Sequence, residues 1–380
     1  MTPPLQKTVW LVNQFVPPDR APTARLLDEL ASGLMERGWN VRFIGCTQGY
    51  HTGPVAGWRR WWRDLKAHAR LFIRSLTGCK PEVVVCLTDP PALVFTMACV
   101  ALLRGARLVH WPMDVYPEIA AALGVISNRS LAYKIIKHAA DWGVGRCASV
   151  VILDEDMRRL FGKTAKSACP VVAPWPPSEL KVPDKLPAPA PMMIRWTYSG
   201  NLGRAHEYAT LLQAQRKIED QGAHFELVFQ GGGASRQAAQ ELALELGLKN
   251  CHWADYSDDS ELVSSLLLSH LSIATQRPEM KGLLWPSKLA LLDMLPRPIL
   301  WVGAMDGAIA ERLRQRAGLN GVFAPGDAEG LATWLIRNEA DIRSSAQIPH
   351  SAESLRGHMT TTRERAVSEW SAILNSSLPS

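Results

Sequence analysis

No apolar run in this chain is long enough to cross a bilayer. The longest, Ala92–Leu103, has about a dozen residues against the ~20 that a spanning helix needs. It follows Pro90-Pro91 and stops at Arg104-Gly105, which fits a buried helix with a breaker at each end. The seven cysteines, at 46, 79, 86, 99, 147, 169 and 251, form no Cys-x-x-Cys and no His/Cys cluster. That argues against a structural metal or a disulfide framework, and the thiols read as small core residues in a reducing compartment. The first turn, Asn13-Gln14-Phe15-Val16-Pro17-Pro18, lacks Gly-x-Gly-x-x-Gly and has bulky residues where a dinucleotide fingerprint needs glycine. A Rossmann dehydrogenase is therefore disfavoured. A leader pattern is missing too, because the polar, proline-bearing start runs straight into a strand, and the expected location is the cytoplasm. Acidic residues are only slightly outnumbered: 36 Asp+Glu stand against 42 Lys+Arg, a net charge of +6. So mild an excess does not require nucleic acid; an anionic membrane or a phosphorylated substrate accounts for it as well.

What is present is a two-domain α/β pattern. At 380 residues the chain exceeds a single typical core. Val9–Val12, Val41–Ile44, Val83–Leu87, Leu108–Trp111 and Val150–Leu153 read as continuous apolar strands. Helical segments separate them, such as Arg25–Arg37 with Leu26, Leu27, Leu30, Leu34 and Met35 on one face. The stretch 181–193 carries Pro183, Pro187, Pro189 and Pro191 and reads as a linker. The pattern then restarts, with strands near 194–198, 225–229, 271–274 and 299–302. The expected architecture is two facing Rossmann-like domains, 1–182 and 194–350, joined by a 183–193 linker and bounding an interdomain cleft. A last helical stretch is expected near 351–375.

The most informative stretch is Tyr198-Ser199-Gly200-Asn201-Leu202-Gly203-Arg204-Ala205-His206-Glu207. A strand runs into a glycine turn that opens a helical pattern carrying Tyr208, Leu211, Leu212 and Ala214. That geometry offers backbone N–H groups and a positive dipole end to an anion, with the Arg204 fork beside it. An ordinary βα turn is the plain alternative. A second strand ends at Gly231-Gly232-Gly233, and Pro286-Ser287-Lys288 opens the apolar segment Leu289–Leu295. Lys288 is then either a charge beside the same phosphates or a solvated surface residue.

In this order, Tyr-Ser-Gly-Asn-Leu-Gly-Arg, Gly-Gly-Gly, Gly282-Leu283-Leu284-Trp285-Pro286-Ser287-Lys288, Arg297-Pro298 and Pro325-Gly326-Asp327 resemble bacterial family-4 glycosyltransferases of the GT-B fold. The branch that builds surface polysaccharides is the most similar. Pro17-Pro18-Asp19, Thr23-Ala24-Arg25, Gly38-Trp39-Asn40-Val41 and Trp111-Pro112-Met113-Asp114-Val115-Tyr116-Pro117-Glu118 agree with it. The similarity covers roughly residues 8–340, and the resemblance implies that the last helical stretch, 351–380, packs back on the first domain.

The resemblance implies transfer of a hexose or N-acetylhexosamine from a nucleoside-diphosphate sugar, with retention and without an essential metal or other cofactor. The implied donor is a UDP-sugar, with GDP-sugar as second choice, and the implied acceptor is a lipid-linked saccharide. Arg204 and Lys288 would then carry the charge of the leaving diphosphate, helped by amides near Gly200, Asn201 and Gly203 and by a helix dipole. Gly231, Gly232, Ser287 and Glu279 complete the expected donor site. Asp114 and Glu118 would orient the acceptor hydroxyl, Asp114 having the alternative role of an N-cap. His110 and His206 are weaker candidates, since a lone histidine beside a strand is more often structural. The chain also departs from the family pattern. Leu283 and Leu291 stand where many members have a glutamate pair. Lys281 stands where this branch keeps a Glu, Pro296 where it has Gly, and Ala308 where it has Glu. Either the donor differs or catalysis has weakened.

Residues 58–76 form a separate feature. Trp58, Trp61, Trp62, Leu65, Ala69, Phe72, Ile73 and Leu76 fall on one helical stripe. Arg59, Arg60, Arg63, Lys66, Arg70 and Arg74 lie beside it, with Asp64 the only acid. Such a helix suits the headgroup layer of an anionic membrane, and a core-packed helix with a basic rim is the competing reading. The functional alternatives are a non-catalytic GT-B paralogue supporting another transferase, a GT-B epimerase, and a membrane adaptor. No acid/base set for the epimerase can be assembled, and the adaptor leaves the glycine loops unexplained.

Overall fold

The computed structural model describes residues 7–19, 21–46, 58–348 and 350–378. By their contacts these fall into two units: one of residues 1–177, 282–285 and 362–380, the other of residues 178–281 and 286–361.

The first unit is a parallel sheet of β1 (Thr8–Val12), β2 (Asn40–Ile44), β3 (Val83–Cys86), β4 (Arg107–His110) and β5 (Ser149–Val150), in the order β2-β1-β3-β4-β5. Its helices are α1 (Pro22–Glu36), α2 (Trp58–Ser75), α3 (Leu93–Arg104), α4 (Glu118–Ala122), α5 (Leu131–Val144) and α6 (Glu155–Phe161). Every residue of β1 and β3 is buried, as strands covered on both faces require. The chain steps one way across the sheet from β1 to β2 and the other way from β2 to β3, β4 and β5. Right-handed crossovers therefore put α1 on one side and α2, α3 and α5 on the other. The expected strand Val150–Leu153 is cut short. Only Ser149–Val150 pairs with β4, and Ile152 forms an isolated bridge to Val171 at the sheet edge.

The second unit has a six-stranded parallel sheet in the order β11-β10-β9-β6-β7-β8. Its strands are β6 (Ile194–Ser199), β7 (Phe225–Gln230), β8 (Cys251–Ala254), β9 (Leu271–Thr275), β10 (Ile299–Val302) and β11 (Gly321–Phe323). The helices are α7 (Ala209–Asp220), α8 (Arg236–Glu245), α9 (Leu262–Leu267), α10 (Leu289–Leu292), α11 (Ala308–Gln315), α12 (Ala328–Arg337), α13 (Glu339–Gln347) and α14 (Ala352–Ser376). Trp196, Tyr198, Leu211, Phe225, Leu227, Ile273 and Leu300 belong to its core.

The unit boundary falls inside α14, and the residues after it complete the first unit. There Trp370 is fully buried with its ring 4.6 Å from that of Trp111, and Val367 packs on Gly33 so closely that a Cβ at 33 would lie 2.5 Å from it.

Candidate functional site

In the second unit, two glycine turns at the carboxyl ends of β6 and β7 close against each other. Gly200 N donates to Gln230 O (2.8 Å), and Leu202 N donates to Gly232 O (2.7 Å). A Cβ on Gly231 would sit 2.4 Å from Gly200 O, and one on Gly233 would sit 2.5 Å from Leu202 O, so no larger residue fits without moving backbone. Gly232 lies against the Tyr256 ring, and Arg236 donates to Gly231 O (2.6 Å). The second turn thus consumes two of the amides expected to face an anion. Those of Asn201, Gly203 and Arg204 have no partner among the described residues.

Lys288 lies beneath this turn. Its chain is partly open to solvent, yet its Nζ is enclosed, accepts and donates no hydrogen bond among the described residues, and stands 3.2 Å from the centroid of the Tyr198 ring. A Cβ on Gly200 would be 3.8 Å from that Nζ. Long cationic side chains usually turn their heads outward, and this one is turned in. The reading of Lys288 as a solvated surface residue is therefore overturned. Burial pushes its ammonium well below the usual lysine range. A ring face returns on the order of 2 kcal/mol to a desolvated cation, less than the several kcal/mol that enclosing an unpaired ion costs.

Helix α7 departs from expectation. It opens at Ala209, after the loop 200–208, rather than at the glycine turn. Glu207, just ahead of the N-cap Tyr208, folds over the helix start and accepts from Thr210 N (2.9 Å) and Thr210 Oγ1 (3.0 Å). A carboxylate already fills the positive end, so no α7 dipole assists an anion at Gly200–Gly203. Arg204 is exposed and makes no hydrogen bond or ion pair among the described residues. Ser287 is exposed directly before Lys288. Glu279 sits on the 3-10 turn Pro278–Met280, exposed and paired with Arg277 at 3.5 Å. Lys281 pairs with Asp306 at 2.7 Å, and Leu291 is buried in α10. His206 Nδ1 donates to Thr275 O (2.7 Å). Burial, with Lys288 adding, lowers its pKa to about 4, so it is a neutral structural residue near pH 7.

In the first unit, Asp114 follows β4 and forms an antiparallel bridge with Leu284, next to a bond from Val115 N to Leu283 O (2.7 Å). Pro117, not Asp114, is the N-cap of α4, so the capping alternative is ruled out. Burial, with the Asp89 carboxylate adding, pushes the Asp114 carboxyl up to about 7. Glu118 opens α4; its Oε1 meets Lys137 Nζ at 3.0 Å, while its Oε2 is buried with no partner among the described residues. Lys137 also reaches Asp141, one turn along α5. With Thr88 and His110 these groups line a cavity of about 30 Å³, room for one water or hydroxyl. His110 Nδ1 donates to Cys86 O (3.0 Å), and burial lowers its pKa to about 4.

The structure therefore brings Gly200, Gly231 and Lys288 together in one unit, and Asp114 and Glu118 in the other. Tyr198 and Lys137 were missed from sequence. Tyr198 could have been noticed as an aromatic ending a buried strand beside the glycine turn; nothing local marks Lys137. Among the described residues no group of three or more His, Cys, Asp or Glu is placed to hold a metal ion.

Two parallel sheets of this order, each flanked by helices, have the α/β fold of GT-B glycosyltransferases. The chain resembles WaaG, described as a glycosyltransferase involved in lipopolysaccharide biosynthesis, with TM-score 0.67 and 15% identity over 97% of this chain and 99% of that one. It also resembles Anabaena HepE in complex with UDP-glucose, with TM-score 0.63 and 12% identity over 96% and 99%. In sequence it is 25% identical over 295 residues to the probable glycosyltransferase WbjE of Pseudomonas aeruginosa, covering 74% of this chain and 73% of WbjE. No family model matches.

Proposed function

We propose that the chain is a family-4-type glycosyltransferase of surface-polysaccharide synthesis, moving a hexose or N-acetylhexosamine from a UDP-sugar to a lipid-linked saccharide with retention. The observation that carries this reading is the inward-turned Lys288 Nζ beneath the glycine turn, an unpartnered donor positioned for an anion. The likeness to WbjE and the UDP-glucose complex of HepE support it. In this scheme Lys288, Arg204 and the amides of Asn201 and Gly203 hold the diphosphate and stabilise it as the bond to the sugar C1 breaks. Gly231, Gly232, Ser287 and Glu279 shape the donor side. Asp114 and Glu118 receive the acceptor, and a carboxyl near 7 is matched to taking up the hydroxyl proton. Residues 58–76 rest on the inner face of an anionic membrane, on the cytoplasmic side. Among the described residues no helix is long and apolar enough to span one.

Calorimetry with UDP, GDP and ADP tests the donor half. One nucleotide binds in the micromolar range, and Arg204→Ala weakens it tenfold or more, about 1.4 kcal/mol. Binding of none favours the second reading, a non-catalytic paralogue. The Lys281–Asp306 pair, with Lys281 where a glutamate is usual, is the observation on that side.

A further inference from the structure

Helix α2 has three faces. Ala67, Leu71 and Ser75 are buried, with Asp64 and His68 beside them. Arg59, Lys66, Arg70 and Arg74 are exposed on a second face. The apolar stripe forms the third face and is not the core side: Trp61 is 56%, Trp62 55%, Leu65 59% and Ile73 62% exposed. The reading of this stripe as a core-packed surface is thereby overturned.

The neighbouring helices continue it. On α3, Leu102 is 64% and Leu103 67% exposed, and Phe95 is also open; on α5, Leu131 is 73% and Ile135 59% exposed. The three helices are fastened side by side. His68 joins α2 to α3 through Thr96 Oγ1 (2.7 Å) and Pro91 O (3.0 Å). The Phe95 and Trp142 rings meet at 5.3 Å between α3 and α5. At Gly143 the two backbones come so near that a Cβ would lie 2.8 Å from Val94 O. All three lie on one side of the sheet, opposite α1.

We propose that the outer surfaces of α2, α3 and α5 form one lipid-facing plane that seats the first unit on an anionic bilayer. The inference rests on the membrane reading of residues 58–76 and extends it from one helix to a layer, which fixes an orientation that a lone helix would leave free to roll. Charge selects the occupant. Neither 93–104 nor the exposed stripe of α2 contains an acid, and Arg59, Trp62, Arg63 and Lys66 line an open depression where an indole adjoins three cations. That combination suits a phosphate-bearing headgroup above acyl chains. A second copy of the chain on this face would bring two basic fringes together, and a neutral surface would leave them unmatched.

The test is flotation of the full chain with vesicles of phosphatidylcholine containing phosphatidylglycerol. Two double variants are compared with wild type, Leu102→Ser with Leu103→Ser on α3 and Leu131→Ser with Ile135→Ser on α5. Each lowers the vesicle partition coefficient about fivefold or more, with melting temperature and UDP binding unchanged. If both bind like wild type while Trp61→Ser with Trp62→Ser does not, α2 anchors alone; this inference falls and the membrane reading of 58–76 stands. If wild type ignores the vesicles, both fall, whatever calorimetry says of the transferase. Light scattering that shows a dimer which the α3 and α5 variants dissociate, without vesicle binding, assigns the face to a second copy and likewise overturns the proposal.

Discussion

Replacing Lys288 by Met separates the two demands placed on that side chain. Met keeps the length and most of the volume but removes the enclosed nitrogen that lacks a partner. Leaving a buried donor unsatisfied costs about 1–3 kcal/mol, more when it is charged, so Lys288→Met raises the stability of the ligand-free protein by roughly that amount. In a unit of this size each kcal/mol moves the melting temperature by about 2–4 °C. Nucleotide binding moves the opposite way. A hydrogen bond to a charged group is worth about 1.5–3 kcal/mol, so UDP affinity drops about 10- to 150-fold. The sign of the pH dependence follows from the lowered pKa. Between that value and 10.5 the unfolded chain holds a proton at Lys288 that the folded chain has released. This site therefore makes wild-type stability rise with pH across that window, and Lys288→Met lacks the contribution. The stability advantage of Lys288→Met narrows as the pH approaches 10.5. Paired thermal melts across pH, together with calorimetry, read both effects. A Met variant that melts below wild type near neutral pH and binds UDP unchanged refutes the reasoning.

Asp114→Asn lowers turnover while leaving UDP binding intact. With its carboxyl up near 7, the folded state holds a proton that the unfolded state loses above about 3.8, so this group makes wild-type stability decline between those values. Thermal melts of the Asn variant show a flatter profile there; an unchanged profile places the Asp114 acid in the ordinary range. Gly231→Ala sets a Cβ 2.4 Å from Gly200 O at a residue with φ of 123°, and destabilises the protein by about 2–4 kcal/mol in urea titration. A loss under ~0.5 kcal/mol would mean that the two turns are not held together.

The strands were legible where they are apolar throughout, as in Val83–Cys86, because burial on both faces writes itself directly into composition. The edge strand Cys251–Ala254, partly exposed along its length, and the three-residue Gly321–Phe323 left no such mark. The glycine turns could be read because close backbone approach leaves little choice of residue. What they approach could not. The bond from Gly200 to Gln230 and the stacking of Lys288 on Tyr198 join positions far apart in the chain, and neither has a local signature. Glu207 was hidden for another reason: a carboxylate three residues ahead of Thr210 can cap a helix or point to solvent, and only the late start of α7 decides.

The Trp370 indole has a consequence for biogenesis. Its place beside Trp111 is filled by a segment far downstream in the chain, and Lys7 and Arg37 also bond to that segment, at Asn375 and Ser368. The sheet of β1 to β5 is synthesised before residues 362–376, so its aromatic interior is sealed only after they emerge. A nascent chain arrested short of residue 362 would display that unsealed surface to chaperones.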